Sequence, residues 1–305
     1  MVLERFGLQA LRGFFMGAAD IVPGVSGGTI ALLVGIYDDL VQNVRAAAGV
    51  LGRVARGDIA AARSQLRSVD WAFLVPLGVG ILIAVAALAS VIERLLEDYP
   101  EEMAGLFFGL VAASIVIAWN LLERRTGAEL GLLIAVAVVV FVLLGYQKGP
   151  VANPSPIAFL GAGALAICAM ILPGISGSFL LLMIGMYTPV LGAVSDRDLG
   201  DVLLVGVGVV IGLALFSNVL GVLLDRARDL TLAALVGLMV GSLRVLWPWP
   251  NGVGLISREA DEVVDGTGLD WPNADDAVMP IVLAVVAFAV VFGISRVAAK
   301  RETGV

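Results

Sequence analysis

Long apolar runs alternate with short polar stretches along this chain of 305 residues. Six runs are long enough for an α-helix to cross a hydrocarbon core of about 30 Å. They occupy residues 71–92, 103–121, 129–146, 201–224, 230–247 and 279–296. The runs are rich in Ala, Leu, Val and Gly and lack the strict alternation of a transmembrane β-strand. With a mean hydropathy of +1.01, the pattern predicts an all-α polytopic membrane protein.

Two further apolar regions are interrupted by the same motif. Pro23-Gly24-Val25-Ser26-Gly27-Gly28 recurs as Pro173-Gly174-Ile175-Ser176-Gly177-Ser178, and each copy is followed by a Gly-x-Tyr, at residues 35–37 and 185–187. Proline and glycine interrupt a regular helix. In a membrane, irregular backbone is tolerated only where it is buried in protein or lines a polar cavity. Matching breaks in two halves of a chain point to the binding site of a transporter.

The distribution of charge predicts the orientation of the chain. Basic residues concentrate in segment 41–70 and in the C-terminal tail, whereas segments 93–102 and 248–277 are acidic. The positive-inside rule therefore places both termini in the cytoplasm and the acidic segments outside. These inside and outside assignments are consistent with one another only if segments 13–40 and 156–195 each enter the membrane and return on the same side. We expect two re-entrant hairpins with the motif at each tip; a pair of full spans is the alternative.

The repeat extends beyond the motif. Gly78-Val79-Gly80 recurs 128 residues later as Gly206-Val207-Gly208, whereas the motif recurs after 150 residues, so the first half holds 22 extra residues. Each half then consists of one re-entrant helical hairpin and three transmembrane helices, and the odd number of spans makes the repeat inverted. The ladder Gly105, Gly109, Ala113 corresponds to Ala233, Gly237, Gly241, and we expect it to pack helices closely.

The predicted organisation has two repeats. Residues 1–150 form the first, with the hairpin at 13–40, interfacial amphipathic helices at 41–70 and three spans within 71–146. Residues 151–305 form the second, with the hairpin at 156–195, three spans within 201–296 and an acidic outer loop at 248–277. The basic segment 41–70 has apolar residues at helical spacing, which suits the anionic inner leaflet. An ordinary solvated cytoplasmic helix is the alternative.

The broken helices suggest an anion site. The N-terminus of a helix presents unpaired N–H groups and the positive end of its dipole. The predicted phosphate-binding residues are Pro23, Gly24, Ser26, Gly27, Gly28 and Thr29 in the first copy, and Pro173, Gly174, Ser176, Gly177 and Ser178 in the second. The alternative is that the motif only builds a tight turn.

Three ionisable residues near these regions are further candidates, because charge at membrane depth is costly. Asp20 precedes Pro23, and its counterpart in the repeat is Met170; it either carries a coupling proton or caps the hairpin. Arg12 either meets a phosphate or snorkels to the interface. Arg244, near Trp247, either anchors the interface or lines an outer phosphate path.

The residue types that are missing narrow the chemistry. The chain contains no histidine and one cysteine, which excludes imidazole chemistry, an internal disulfide and a thiolate metal cluster. We therefore expect no metal, no cofactor and no enzymatic activity, and the acidic net charge of −7 gives no reason to expect nucleic acid.

The motif residues also carry a family resemblance. Gly13 and Gly17, Asp20, the two Pro-Gly-x-Ser-Gly tips and the two Gly-x-Tyr segments resemble the prokaryotic polyprenyl-phosphate transporter family (PopT) over essentially the whole chain. The resemblance implies a translocase that returns undecaprenyl phosphate between leaflets of the cytoplasmic membrane for carrier-lipid recycling, with both tips handling the phosphate. In an archaeal host the lipid would be a dolichyl-type phosphate. The paired hairpins are also similar to those of undecaprenyl-pyrophosphate phosphatases.

Three functions follow as hypotheses. The first is a translocase for polyprenyl phosphate, whose partners are that lipid and the bilayer. The second is a membrane lipid (pyro)phosphatase, and the third is a transporter of a small soluble anion. Coupling to a proton or sodium gradient and assembly as a homodimer are options that the sequence leaves open.

Overall fold

The computed structural model describes residues 2–22, 25–145, 151–249 and 269–302, and all regular structure in these ranges is helical. The all-α prediction is therefore confirmed. The helices are α1 (Val2–Asp20), α2 (Gly27–Leu33), α3 (Tyr37–Ala55), α4 (Ile59–Ser68), α5 (Trp71–Asp98), α6 (Pro100–Asn120), α7 (Gly127–Leu143), α8 (Pro156–Ile171), α9 (Gly177–Met183), α10 (Tyr187–Ser195), α11 (Leu199–Arg226), α12 (Arg228–Ser242) and α13 (Ala274–Glu302).

Within the described ranges, four helices are long and apolar enough to cross a membrane individually: α5, α6, α11 and the Asp276–Arg296 part of α13. The protein is thus a multi-pass membrane protein. Helices α7 and α12 are shorter than the predicted spans, with 17 and 15 residues. Helix α12 ends at Ser242, and the chain continues to Trp247 in tight turns with hydrogen bonds between residues three apart. These turns end at Trp247, the residue before Pro248, where a helical conformation is disfavoured.

Two further helix bounds differ from the sequence prediction. Helix α5 continues to Asp98, so most of the predicted loop 93–102 is helical, and the chain reverses at Tyr99 before Pro100 starts α6. Proline suits this first position because its missing N–H has no intrahelical partner there. Helix α1 begins at Val2 rather than near residue 13. The added residues are mainly good helix formers, although they are too polar to register as a membrane segment.

Four helix pairs form the body of the protein: α1 with α5, α8 with α11, α6 with α13, and α12 with α7. Each pair approaches closely at glycine. A Cβ atom would meet the partner's backbone at Gly13, Gly163, Gly109 and Gly237. The predicted packing role of the small-residue ladder is confirmed at Gly109 and Gly237.

The broken helices lead into the centre of this body. Helices α2 and α9 each have seven residues, and each ends at a left-handed glycine, Gly35 with φ 71° and Gly185 with φ 72°. Helices α9 and α10 are bent by 113° relative to each other. Residues 27–32 are all buried, so the first tip lies in the main core.

The extra segment of the first half forms α3 and α4. The break between them falls at Gly57, with φ 75°, and at Asp58, whose carboxylate accepts a hydrogen bond from the N–H of Ala61 at 2.9 Å. Helix α3 packs against α11 of the second half. This contact brings residues that are distant in sequence together at the end of the bundle where α11 ends and α12 begins.

Candidate functional site

The first tip is closed by its own side chains. Ser26 precedes α2 in an extended conformation, and its Oγ accepts a hydrogen bond from the N–H of Gly28 at 3.1 Å. The N–H of Gly27 donates to Oδ1 of Asp20 at 2.6 Å. Two of the unpaired donors at the start of α2 are thus satisfied within the hairpin. Pro23 and Gly24, which were predicted to form this tip, lie outside the described residues.

The second tip has a different start. Gly174 has φ 86°, a left-handed conformation that strains residues with a side chain. Ser176 precedes α9 without capping it, and its Oγ is 2.8 Å from Oγ of Ser178. In the part of the chain that the structure describes, the backbone N–H groups of Gly177 and Ser178 make no hydrogen bond. The two copies of one motif therefore present different backbone chemistry.

The difference originates one turn before each tip. A Cβ on Gly27 would lie 2.6 Å from Oδ2 of Asp20, and a Cβ on Gly177 would lie 2.8 Å from Cγ of Met170. Asp20 and Met170 thus occupy corresponding places beside the two short helices. The carboxylate reaches the N-terminus of its helix, whereas the thioether cannot accept a comparable hydrogen bond.

Three hydrogen bonds join the two hairpins. Oγ of Ser26 donates to the carbonyl of Met170 at 3.1 Å, and the hydroxyl of Tyr37 donates to the carbonyl of Ile171 at 3.2 Å. In the opposite direction, the N–H of Gly174 donates to Oγ1 of Thr29 at 3.0 Å. The first hairpin therefore satisfies two carbonyls that the end of α8 leaves without helical partners.

The contact between the tips is also tight and dry. Ser26 and Thr29 are 0% exposed and Ser176 is 5% exposed. A Cβ on Gly28 would lie 2.7 Å from the carbonyl oxygen of Ile171, so only glycine fits this crossing. The described site residues of both tips are thus brought together, and the hydroxyls of Ser26 and Thr29 form hydrogen bonds across their contact. That they bind phosphate stays a prediction.

The two candidate arginines do not take part in these three hydrogen bonds. Arg12 donates to Oε1 of the buried Gln9 at 3.4 Å, one turn away on α1. The guanidinium of Arg244 donates to the carbonyl of Phe141 at 3.2 Å and stands over its ring, with Cζ 4.8 Å from the centroid. Arg244 is five residues beyond Met239, whose backbone packs against Gly174.

Sequence reasoning missed Tyr37 as a residue of this site. The repeated Gly-x-Tyr was a signal for it, although its counterpart Tyr187 lies in a separate apolar cluster with Phe159 and Leu181. The backbone carbonyls of Met170 and Ile171 were missed as well, because an acceptor on the main chain has no residue type to mark it.

Ion pairs connect the two halves where α11 ends. Arg228 donates to Oδ2 of Asp38 at 3.0 Å. Arg45 of α3 donates to Oδ2 of Asp225 at 2.8 Å and to Oδ1 of Asn218 at 3.3 Å. Asp38 follows Tyr37 directly, so this group of charges adjoins the contact between the tips.

A cavity lies at the opposite end of the bundle, where α12 ends and α13 begins. Its larger part, of about 550 Å³, includes Arg244 and Asp270, and an adjoining part, of about 320 Å³, is bounded by α6 and α13. Both parts are lined by Phe108, Trp247 and Trp271. We call the two parts together the aromatic crevice.

Comparison with known proteins places this sequence in a family. The sequence profile of the VCA0040-like family, described as undecaprenyl phosphate translocase-like, matches residues 16–264. The chain belongs to this family. The matched range contains both tips, and the resemblance deduced from the motif residues is confirmed.

Two curated relatives are similar along most of the chain. A polyprenyl-phosphate transporter of Vibrio cholerae is 40% identical over 301 residues, which cover 95% of this chain and 96% of the relative. A polyprenyl-phosphate transporter of Staphylococcus aureus is 31% identical over 258 residues, with coverage of 79% and 86%. No solved structure matches the chain.

Proposed function

We propose that this protein is a translocase that moves polyprenyl phosphate, such as undecaprenyl phosphate, from one leaflet of the cytoplasmic membrane to the other. The family match and the names of both relatives support the substrate and the activity. The observation that carries a transport mechanism is the buried crossing of the two tips, because such a crossing can separate only by moving whole hairpins.

The architecture of the proposal is an inverted repeat with two re-entrant hairpins that enter from opposite sides. Corresponding helix pairs support it: α1–α5 has its counterpart in α8–α11, and α6–α13 has its counterpart in α12–α7. The turns at Gly35 and Gly185 are alike in their φ angles and in their hydrogen bonds. In transporters of this kind, the two repeats move against each other around a central site.

The proposed orientation places the ion pairs at the cytoplasmic end and the aromatic crevice at the outer end, with both termini in the cytoplasm. Tryptophan side chains at Trp247 and Trp271 suit a membrane interface. The ion pairs Arg228–Asp38 and Arg45–Asp225 join the two halves at one end, and in this proposal the substrate enters from the other end, through the crevice.

The phosphate is proposed to engage the tips when they part. Ser26 and Thr29 are occupied by Met170 and Gly174 in this conformation, and separation of the hairpins would release their hydroxyls and a backbone N–H. Ser178, which is exposed, extends this group toward the surface. Charge-assisted hydrogen bonds to the phosphate would then replace the neutral ones that join the tips.

The carboxylate of Asp20 is proposed to occupy the place at the first tip where the substrate phosphate would bind. Its carboxylate occupies the N-terminus of α2 by accepting from Gly27, a place that favours negative charge. A substrate phosphate at that position would have to displace it. Coupling of this exchange to a proton or a sodium ion is part of the proposal, and Asp20 is the residue that would carry it.

The test is reconstitution of the full chain in liposomes that contain fluorescent polyprenyl phosphate in one leaflet. Transfer to the other leaflet, without release of inorganic phosphate, is the expected result. Release of inorganic phosphate would indicate the phosphatase instead. Equal uptake of a soluble phosphate analogue into the lumen would indicate the soluble-anion transporter.

A further inference from the structure

We infer that the aromatic crevice is the docking site from which polyprenyl phosphate is loaded, with its phosphate at Arg244 and its first isoprene units between α6 and α13. This inference rests on the proposed function and adds a substrate-binding site that is distinct from the tips. The lining of the crevice, its opening and its position relative to Gly174 support it.

Among the residues that the structure describes, charged side chains line only one end of the crevice. Arg244 and Asp270 are the charged residues of the larger part, whereas the adjoining part is lined by apolar side chains, prolines and Gly105. Small-molecule sites combine an apolar lining with a few polar groups that fix orientation. A ligand with one ionic group on an apolar chain matches this division, and a free phosphate ion does not use the apolar part.

The guanidinium of Arg244 is held in place at the polar end. It stacks on Phe141 and donates to the carbonyl of that residue. Gly145 leaves room for it, since a Cβ there would lie 2.6 Å from Cζ of Arg244. A guanidinium offers several donors in one plane and binds phosphate with two parallel hydrogen bonds.

The apolar end opens sideways toward lipid. Ile281 and Val285 line it from α13 and are 51% and 61% exposed, and on an apolar spanning helix such exposed surface faces hydrocarbon. Gly105 and Pro280 also line this end, and their backbones are in direct contact because Gly105 has no side chain. A prenyl chain can therefore lie in the crevice while its distal units remain in the bilayer.

The floor of the crevice leads to the tips. Val240 lines the larger part, and its neighbour Met239 packs its backbone against Gly174, with a Cβ on Gly174 placed 2.7 Å from Cα of Met239. Only a short stretch of α12 thus separates Arg244 from the second tip, and the fully buried Met239 would have to shift for a phosphate to pass between them.

Asp270 opposes an anion in the same cavity. Its Oδ1 accepts from the N–H of Trp271 at 2.8 Å, and its carbonyl accepts from Nε1 of Trp247 at 2.9 Å. Its carbonyl thus holds the indole of Trp247, whereas its carboxylate bonds only the backbone of Trp271. Asp270→Asn keeps an acceptor oxygen but removes the negative charge, so this variant should bind a prenyl phosphate several-fold more tightly.

The experiment measures binding to the full chain in nanodiscs by the change in tryptophan fluorescence, with farnesyl phosphate as the probe. Farnesol and inorganic phosphate, which each lack one part of the ligand, should bind at least about tenfold more weakly. Arg244→Gln should raise the Kd for farnesyl phosphate at least about tenfold, as expected for loss of a charged hydrogen bond. Arg197→Gln is the matched control, because Arg197 is exposed and outside the crevice lining. The Kd of this variant for farnesyl phosphate should equal that of the unmodified protein.

A second variant tests the apolar end without touching the charge. Ile281→Trp enlarges a half-exposed side chain and narrows the tail site, so farnesyl phosphate should bind more weakly while the melting temperature stays the same. Unchanged binding in both Arg244→Gln and Ile281→Trp, or equal binding of inorganic phosphate, would overturn the inference. Transport by the unmodified protein in liposomes tests the proposed function separately: if transport occurs and neither variant affects binding, only the loading site is wrong.

Discussion

The backbone N–H of Gly174 donates a hydrogen bond to Oγ1 of Thr29 at 3.0 Å, across 145 residues of sequence. Both groups are buried, and Thr29 is 0% exposed. With the bonds from Ser26 and Tyr37 to the end of α8, this contact makes the two tips a single unit. Any transport cycle that separates the hairpins has to break these bonds and replace them.

Replacement of Thr29 tests how much this bond contributes. Thr29→Val keeps the shape of the side chain but leaves the N–H of Gly174 buried without an acceptor, which should cost about 1–3 kcal/mol. Thr29→Ser keeps the hydroxyl and is the control. Thermal unfolding in detergent should show a lower melting temperature for the valine variant and a smaller change for serine; equal melting temperatures would show that the bond contributes little.

Gly174 itself should tolerate no side chain. Gly174→Ala places a Cβ at φ 86° and 2.7 Å from Cα of Met239, so strain of about 1–2 kcal/mol is combined with a clash against backbone. Gly35→Ala is the matched control, because Gly35 has φ 71° and nothing within 4 Å of its Cβ position. Unfolding should show a clearly larger loss for Gly174→Ala than for Gly35→Ala. Similar losses would assign the whole effect to backbone strain.

The position of the tips could be predicted from sequence because a doubled motif of proline and glycine is visible in the residue letters. The crossing bonds could not, since the acceptors at Met170 and Ile171 are main-chain carbonyls that every residue carries. The sequence indicated that the two tips could be capped differently, because Asp20 corresponds to Met170 in the second repeat. The sequence allowed Asp20 to be either a cap or a coupling site, and only the folded structure shows its hydrogen bond to Gly27.

Helix bounds were predicted less well than the order of the elements. Hydropathy marks where a chain is apolar, whereas helices continue as long as the backbone allows, and so α5 runs on to Asp98 through charged residues. Helix α12 ends at Ser242 although the segment remains apolar, and tighter turns continue from there to Trp247. The aromatic crevice combines side chains from α6, α7, α12 and the start of α13, a combination that no local pattern contains.

Asp20 is expected to support the first tip through its hydrogen bond to Gly27. Asp20→Ala removes the cap and should destabilise the protein by about 0.5–2 kcal/mol. Asp20→Asn retains an oxygen acceptor and should unfold close to the unmodified protein. Melting temperatures of both variants measure this difference, and equal losses would contradict the capping role.

The Asp20→Asn variant also tests the proposed coupling. If Asp20 carries a proton or binds sodium, Asp20→Asn should fold normally but transport polyprenyl phosphate at a rate that no longer responds to a pH or sodium gradient across the liposome. A gradient response identical to that of the unmodified protein would remove Asp20 from the coupling mechanism while leaving its capping role intact.

The ion pair between Arg228 and Asp38 is expected to govern which end of the protein is open rather than how stable it is. Both side chains are partly exposed, at 41% and 42%, so the pair should contribute no more than about 1 kcal/mol to stability. Arg228→Gln or Asp38→Asn should therefore change the transport rate with little change in melting temperature, and the exchanged pair Asp38→Arg with Arg228→Asp should restore the rate. Arg5→Gln is the matched control, because Arg5 pairs with Asp70 inside the first half and does not bridge the halves. A rate effect of Arg5→Gln as large as that of Arg228→Gln would show that surface charge in general, and not closure between the halves, sets the rate.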